Sequence, residues 1–237
     1  MILAAGDGGR LGQATSDLPK PLVPLASRPI IQYTLEALSA SGVSEAVVVT
    51  GYRGEQLRQG IERLATPGPV ISFVENANFE AGASLSLQAA REACGTEPFL
   101  LLMADHMLSH PIIRSLREAY VPGGPSLVAT DAAPWPKAYV DEATRVQFAP
   151  GTREVVAIAK QLSPWDALDT GAFLLSPDAW QAIDAVPADC ELSVIFSEIA
   201  RRNQLLAVDV SGASWYDIDT AADLEAATRI VAAGGIR

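Results

Sequence analysis

Three strand-length apolar runs, separated by helical patterns, set narrow limits on how this chain can fold. They are Ala46-Val47-Val48-Val49-Thr50, Val70-Ile71-Ser72-Phe73-Val74 and Phe99-Leu100-Leu101-Leu102-Met103. Each is nearly continuous rather than alternating, which marks strands buried on both faces. Such strands belong to a parallel sheet with helices above and below. The helical patterns fit between them. After Pro29, which suits a first helical turn, Ile30, Ile31, Leu35 and Leu38 form a stripe that stops near Gly42. A short helix is expected from Gly54 to Leu64, and Pro67-Gly68-Pro69 then breaks the chain. A third helix is expected over Leu85 to Ala93.

The second half changes character. Val146 and Phe148 alternate with polar neighbours, Pro150-Gly151 signals a turn, and Val155-Val156-Ala157-Ile158 follows. That predicts a hairpin inserted after the strand Leu127-Val128-Ala129-Thr130. Helices are expected near Asp178–Ala185 and Leu192–Arg201, with a strand over Leu205–Val210. The last helix opens at Thr220 with Asp223 three residues on, a carboxylate variant of the capping box. No repeat or long linker divides the 237 residues. One domain is expected over 1–237, with halves over 1–110 and 111–237.

Charge and composition remove several classes of function. A net charge of −11 argues against general binding to nucleic acid or anionic membrane, though not against one nucleotide held by local cations. Cys94 and Cys190 fit no metal or redox spacing. The N-terminus has no basic region and Ile2 to Ala5 is too short for a signal core, so a soluble, cytoplasmic protein is expected.

Chemistry concentrates at the start of the chain. Leu3-Ala4-Ala5-Gly6-Asp7-Gly8-Gly9-Arg10-Leu11 is an apolar strand running into a glycine turn, and Pro19-Lys20-Pro21 follows. Glycines let backbone N–H groups approach a polyanion, and a guanidinium and an ammonium supply countercharge. A dinucleotide fingerprint needs a third glycine where Leu11 stands, and no Gly-Lys-Ser/Thr makes a Walker loop. Taken alone, the turn could equally be a plain strand-to-helix connection with a solvated arginine.

Two carboxylate groups lie downstream. Asp105 follows the apolar strand ending at Met103, where parallel sheets bind ligands, and one carboxylate there can hold Mg²⁺ or merely cap a loop. Asp217 and Asp219 precede the last helix, where Asp219 could also serve as a helix N-terminal charge. His106 and His110 stand four apart, but no third ligand of suitable spacing supports zinc.

These residues resemble the signature of the nucleotidyltransferases that join a nucleoside triphosphate to a sugar phosphate or similar phosphate monoester. The resemblance covers most of the chain and implies a nucleotide-binding half over 1–110 and an acceptor-binding half over 111–237. It implies the nucleotide-diphospho-sugar transferase fold, an α/β architecture with a Rossmann-like, mostly parallel central sheet flanked by helices and a small inserted β-hairpin. It places Leu3, Ala4, Ala5, Gly6 and Gly8 beside the nucleotide and gives Arg10 and Lys20 the catalytic phosphate contacts. It implies Mg²⁺ shared by Asp105 and Asp219, with Asp217 and His106 as neighbours. Asn76, Gly82, Ala83 and Ser84 resemble the base-recognition loop and helix start, where Ser84 could bond the base or cap the helix. Lys160 is implied to meet the acceptor phosphate, and Asp169, Thr170 and Gly171 the acceptor hydroxyls.

Within the family, Met103-Ala104-Asp105-His106, the hairpin ending in Ala159-Lys160 and Asp169-Thr170-Gly171-Ala172-Phe173 look most like the CTP-dependent inositol-1-phosphate cytidylyltransferases. The phosphocholine enzymes of this fold look similar, but less so. Ala83 stands near where the family often has asparagine, so the base stays open with CTP favoured. The resemblance thus implies an NTP and a small phosphorylated acceptor as partners and leaves a homo-oligomer open, while the net charge and the shortness of the longest apolar run, Phe99 to Ala104, argue against nucleic acid and membrane. Hexose-1-phosphate uridylyl-, thymidylyl- or guanylyltransferases, and a non-catalytic nucleotide-sensing relative, remain the alternatives. Transfer to a molybdopterin-type acceptor shares the glycine turn, but the hairpin and the Asp169 segment argue against it.

Overall fold

The computed structural model describes residues 1–15, 17–64 and 68–236. Pro67, part of the expected chain break, lies outside the described residues. The chain opens with β1 (Ile2–Leu3), crosses the glycine turn into the short pair β2 (Pro24–Leu25) and β3 (Arg28–Pro29), and enters α1 (Ile30–Ala40). Then come β4 (Glu45–Thr50), α2 (Gly54–Glu62), β5 (Val70–Glu75), α3 (Ala83–Ala89), α4 (Arg91–Cys94) and β6 (Phe99–Met103). β7 (His106–Leu108), α5 (His110–Ala119), β8 (Ser126–Asp131) and α6 (Lys137–Glu142) lead to the hairpin β9 (Arg145–Phe148) and β10 (Val155–Ala159). The chain closes with β11 (Ala167–Leu175), α7 (Ala179–Ile183), α8 (Leu192–Arg201), β12 (Leu205–Asp209), β13 (Trp215–Asp217) and α9 (Ala221–Ala232).

One sheet joins both halves of the chain, in the order β10-β9-β11-β6-β1-β4-β5, with β8 also paired to β11 and β12 to β8. β1 lies parallel between β4 and β6, so that Ile2 faces Val48 on one side and Leu102 on the other. β5 extends this parallel half, whereas β11 runs antiparallel to β6, β8 and β9. Strand alternation divides the core against the sheet in two, and a third cluster joins Leu11, Leu25, Tyr33 and Met107 to α9. Ile2, Val48 and Leu102 pack with Ile31, Leu35 and Leu38 of α1 and with Ile112, Ile113 and Leu116 of α5. Val49, Leu101 and Phe173 pack on the other face with Leu87 of α3, Trp180 of α7 and Phe196 of α8.

Several elements depart from the sequence pattern. The expected helix over Leu85–Ala93 begins earlier, at Ala83, and breaks at Ala90 into α3 and α4. β11, α5, α6 and the ribbon of β7 with β13 had no expectation attached. α5 did carry its signal: Pro111 lies in the first helical turn and Ile112, Ile113 and Leu116 make a buried stripe. The β7–β13 ribbon could not be read locally, because three-residue strands pair across more than a hundred residues. It sets Trp215 opposite Leu108 and Asp217 opposite His106.

Candidate active site

The site grows from three chain segments that the fold brings to one end of the parallel strands. Ala104 donates its N–H to the Leu3 carbonyl, 3.0 Å away, which carries the extension of β6 alongside the start of the glycine turn. Asp105 is therefore presented at the strand's carboxyl end. Ile218 donates to the Asp105 carbonyl at 3.1 Å, and this bond fixes the late acidic segment beside it. Lys20 begins a tight turn in which Leu22 bonds back to Pro19 and Val23 to Lys20.

Lys20 joins these segments. Its ammonium is buried and lies 2.8 Å from Asp105 Oδ2 and 2.9 Å from Asp219 Oδ1. Burial works to lower its pKa, but the two carboxylates overcome that and raise it. Arg10 reaches the other oxygen of Asp219 at 2.8 Å while most of its guanidinium stays in solvent. Gly8 makes the approach of turn and lysine possible: it has φ of +66°, and a Cβ there would fall 2.6 Å from Lys20 Cβ.

Asp105 divides its two oxygens. Oδ2 faces Lys20, and Oδ1 accepts from His106 Nδ1 at 2.9 Å. Burial pushes this carboxyl up, yet Lys20 and His106 together hold it well below the usual carboxylate range. His106 is largely enclosed, which disfavours its charge, but Asp217 and Asp105 push its pKa up to about 9. Burial raises Asp217 to about 6 despite His106, and burial raises Asp169 to about 6. Asp105, His106 and Asp217 present donor atoms within 4.8 Å of one another, a grouping that could hold a cation.

Two cavities meet here. The first, of about 360 Å³, is walled by Leu3, Ala4, the Gly6–Arg10 turn, Lys20, Pro21, Ala104, Asp105 and Asp219. The second, of about 760 Å³, is larger and more aromatic, and shares Arg10 and Asp219 with the first. Lys160, Asp169, Gly171, Asp217 and His106 reach its wall, as do Tyr139 and Tyr216.

Other residues named from the sequence are committed to the fold. Ser84 is fully buried and donates its hydroxyl to the Ala188 carbonyl at 2.6 Å, and it neither caps α3 nor faces either cavity. Asn76 donates to Ser86 Oγ and accepts from the Asn78 N–H, as an Asx turn. Gly82 packs against the backbone of Asp189 and Cys190, so neither it nor Ala83 contributes to the described cavity walls. The Ala5 carbonyl accepts from Tyr52 N–H. Thr170 is fully buried and donates to the Ala129 carbonyl at 3.0 Å. Strand alternation explains it: Asp169 and Gly171 face the cavity, so Thr170 must face away.

The aromatic wall was missed from the sequence. Trp135 stacks on Tyr139 at 4.7 Å, and Tyr139 lies 4.9 Å from Tyr216. Asp131 organises the cluster from below, since its Oδ2 accepts from Trp135 Nε1 and Trp215 Nε1 and its Oδ1 from the Ala133 N–H. The aromatic run at Trp215-Tyr216 was the available signal, but only the β7–β13 ribbon turns it towards Tyr139.

Residues 1–198 match the model of the MobA-like NTP transferase domain. The chain belongs to this family. Among its relatives, the bifunctional IPC transferase and DIPP synthase of Thermococcus kodakarensis is 32% identical over 232 residues, covering 98% of this chain and 50% of that protein. The protein of the same name from Rubrobacter xylanophilus is 33% identical over 236 residues, with 97% and 51% covered. A probable mannose-1-phosphate guanylyltransferase of Arabidopsis thaliana is 30% identical over 229 residues, with 92% and 60% covered. The chain thus spans about half the length of the first two relatives. Among solved structures, the inositol-1-phosphate CTP transferase from T. maritima superposes with a TM-score of 0.81 at 22% identity, covering 97% and 94% of the two chains. A UDP-glucose pyrophosphorylase superposes with a TM-score of 0.78 at 18% identity. This MobA-like NTP transferase domain therefore has the nucleotide-diphospho-sugar transferase fold expected from its motifs. No helix among the described residues is long and apolar enough to cross a membrane.

Proposed function

We propose that this domain is a nucleotidyltransferase that joins an NTP, with CTP favoured, to a small phosphate monoester, with inositol 1-phosphate favoured. The products are the nucleoside diphosphate conjugate and pyrophosphate. The observation that carries the reading is the meeting of two cavities at Arg10 and Asp219, with Lys20 and Asp105 in the wall of the smaller one and Lys20 paired to Asp219. A phosphate attacking the α-phosphorus needs two binding spaces that share one charged border. The relatives named above support the choice of CTP and inositol 1-phosphate.

The carboxylate oxygens of Asp105 and Asp217, grouped with His106, would suit a hard divalent cation such as Mg²⁺, and Asp219 would add a further carboxylate beside Lys20. Asp217 Oδ1 is buried with no hydrogen-bond partner among the described residues, as expected of an atom awaiting a cation or ligand. When bound, the cation neutralises phosphate charge and polarises the α-phosphate. The chain supplies the rest. The glycine turn receives the triphosphate, and Arg10 and Lys20 offset charge that builds on the leaving pyrophosphate. Lys160, exposed at the mouth of the larger cavity, orients the acceptor phosphate. The acceptor oxygen is the nucleophile, so catalysis rests on positioning and fixed charge.

The test is pyrophosphate release from a matrix of CTP, UTP, dTTP and GTP against inositol, choline and hexose phosphates. Turnover is expected with CTP and inositol 1-phosphate. Lys20→Ala and Asp105→Ala are each expected to lower turnover on the order of 10²–10³-fold. Wild-type rates in a purified, folded Asp105→Ala variant would sink the assignment. Activity confined to hexose phosphates with UTP, dTTP or GTP would keep the reaction class and replace the substrates, as the relationship to a mannose-1-phosphate guanylyltransferase allows.

A further inference from the structure

His106 has two ring nitrogens, and the protein uses one. Nδ1 lies 2.9 Å from Asp105 Oδ1. Asp105 Oδ2 already accepts from the Lys20 ammonium at 2.8 Å, which leaves Oδ1 as the partner of Nδ1. The main chain of His106 is pinned as well: Thr34 Oγ1 donates to its carbonyl at 3.1 Å, and the ribbon register places it opposite Asp217. The ring therefore has little freedom.

The other edge of the imidazole points elsewhere. It lies over Gly171, where a Cβ would fall 2.4 Å from Cδ2 and 2.6 Å from Nε2. Gly171 has φ of +75°, so both its conformation and the ring above it require glycine. Among the described residues no group hydrogen-bonds Nε2. His106 nevertheless lines the larger cavity, beside Asp169 and Asp217. A polar atom fixed in a cavity wall and left without a protein partner is one that a ligand must satisfy when it displaces water.

We infer that His106 is a specificity-determining residue whose Nε2 hydrogen-bonds a hydroxyl of the acceptor next to its phosphate, while Nδ1 ties that contact to Asp105. Asp105 would then face the nucleotide through Oδ2 and the acceptor, by way of the imidazole, through Oδ1. This inference rests on the larger cavity being the acceptor site. Within the proposed acceptor site, it gives one named atom, His106 Nε2, the task of reading the hydroxyl that flanks the ester carbon.

Two substitutions separate the nitrogens. His106→Asn keeps a donor near the Nδ1 position and loses the reach of Nε2, whereas His106→Gln can place an amide where Nε2 lies. Steady-state kinetics with CTP and inositol 1-phosphate, after thermal unfolding has confirmed folded variants, should show the KM for inositol 1-phosphate rising about tenfold in His106→Asn. The KM for CTP should stay within about twofold, and His106→Gln should recover part of the acceptor affinity. Deoxy analogues lacking a flanking hydroxyl should cost wild type about the same tenfold and cost His106→Asn nothing further. Equal deoxy penalties in wild type and His106→Asn would overturn the inference, as would a parallel loss of affinity for both substrates.

Calorimetric titration with inositol 1-phosphate, using inorganic phosphate as reference, separates this idea from the proposed reaction. Weaker binding of inositol 1-phosphate alone in His106→Asn supports the role of His106 even without turnover. Identical binding of both probes to wild type and His106→Asn removes it.

Discussion

Asp169 and Thr170 are chain neighbours with opposite fates, and the difference lies in which way a strand turns each side chain. Thr170 spends its hydroxyl on Ala129 across the sheet, whereas Asp169 faces the larger cavity and, among the described residues, accepts only the Gly171 N–H at 2.8 Å. Burial raises the Asp169 carboxyl from 3.8 to about 6. Between those values the folded protein holds a proton that the unfolded chain has released, so stability falls as pH rises through this range. The cost is fully present above about pH 6 and absent below about pH 4. Asp169→Asn keeps an oxygen for Gly171 and removes the charge. Thermal unfolding should therefore show the variant more stable than wild type at pH 8, with the difference closing near pH 4. An unchanged difference at the two pH values would show that the buried charge is not its source.

The helix α9 does more than cover the apolar cluster of Leu11, Val23, Leu25 and Met107. Thr220 and Asp223 form a reciprocal capping box, in which Asp223 N–H reaches Thr220 Oγ1 and Thr220 N–H reaches Asp223 Oδ2 at 2.7 Å. The same Asp223 oxygen accepts from the Asp219 N–H at 3.2 Å. A helix cap thus orients the carboxylate that Lys20 and Arg10 share. Thr220→Ala should cost about 1 kcal/mol in urea unfolding. It should also lower turnover, although Thr220 lies outside the cluster of Lys20 with Asp105 and Asp219. Full turnover in a destabilised variant would show that the cap serves the fold alone. The β7–β13 ribbon has the complementary task, since its register sets Asp217 against His106.

Across the whole molecule, the larger cavity is built where the antiparallel half of the sheet meets α8. Phe173 of β11 stacks on Phe196 of α8 at 3.9 Å, and both rings belong to the core and to the cavity wall. Phe196→Ala should destabilise the protein by roughly 3–5 kcal/mol in urea unfolding. Its acceptor KM should rise while the CTP KM holds, because the smaller cavity draws nothing from α8. Equal changes in both constants would mean that the packing defect reaches the entire sheet.

The parallel half of the sheet, the glycine turn, the inserted hairpin, the capped last helix and the family are all legible in the chain before it folds. Those features are written in short-range patterns: continuous apolar runs, turn residues and capping pairs act over a few residues. The sequence also singled out Arg10, Lys20, Asp105 and Asp219 as the residues around which a site could form. Only the tertiary structure decided that Lys20 lies between the two carboxylates. Only the tertiary structure turned Ser84, Asn76 and Thr170 into internal contacts and raised an aromatic wall from Tyr139 and Tyr216. The physical reason is range: pairing β7 with β13 and placing β11 beside β6 depend on burial and register between distant segments, which no local pattern records.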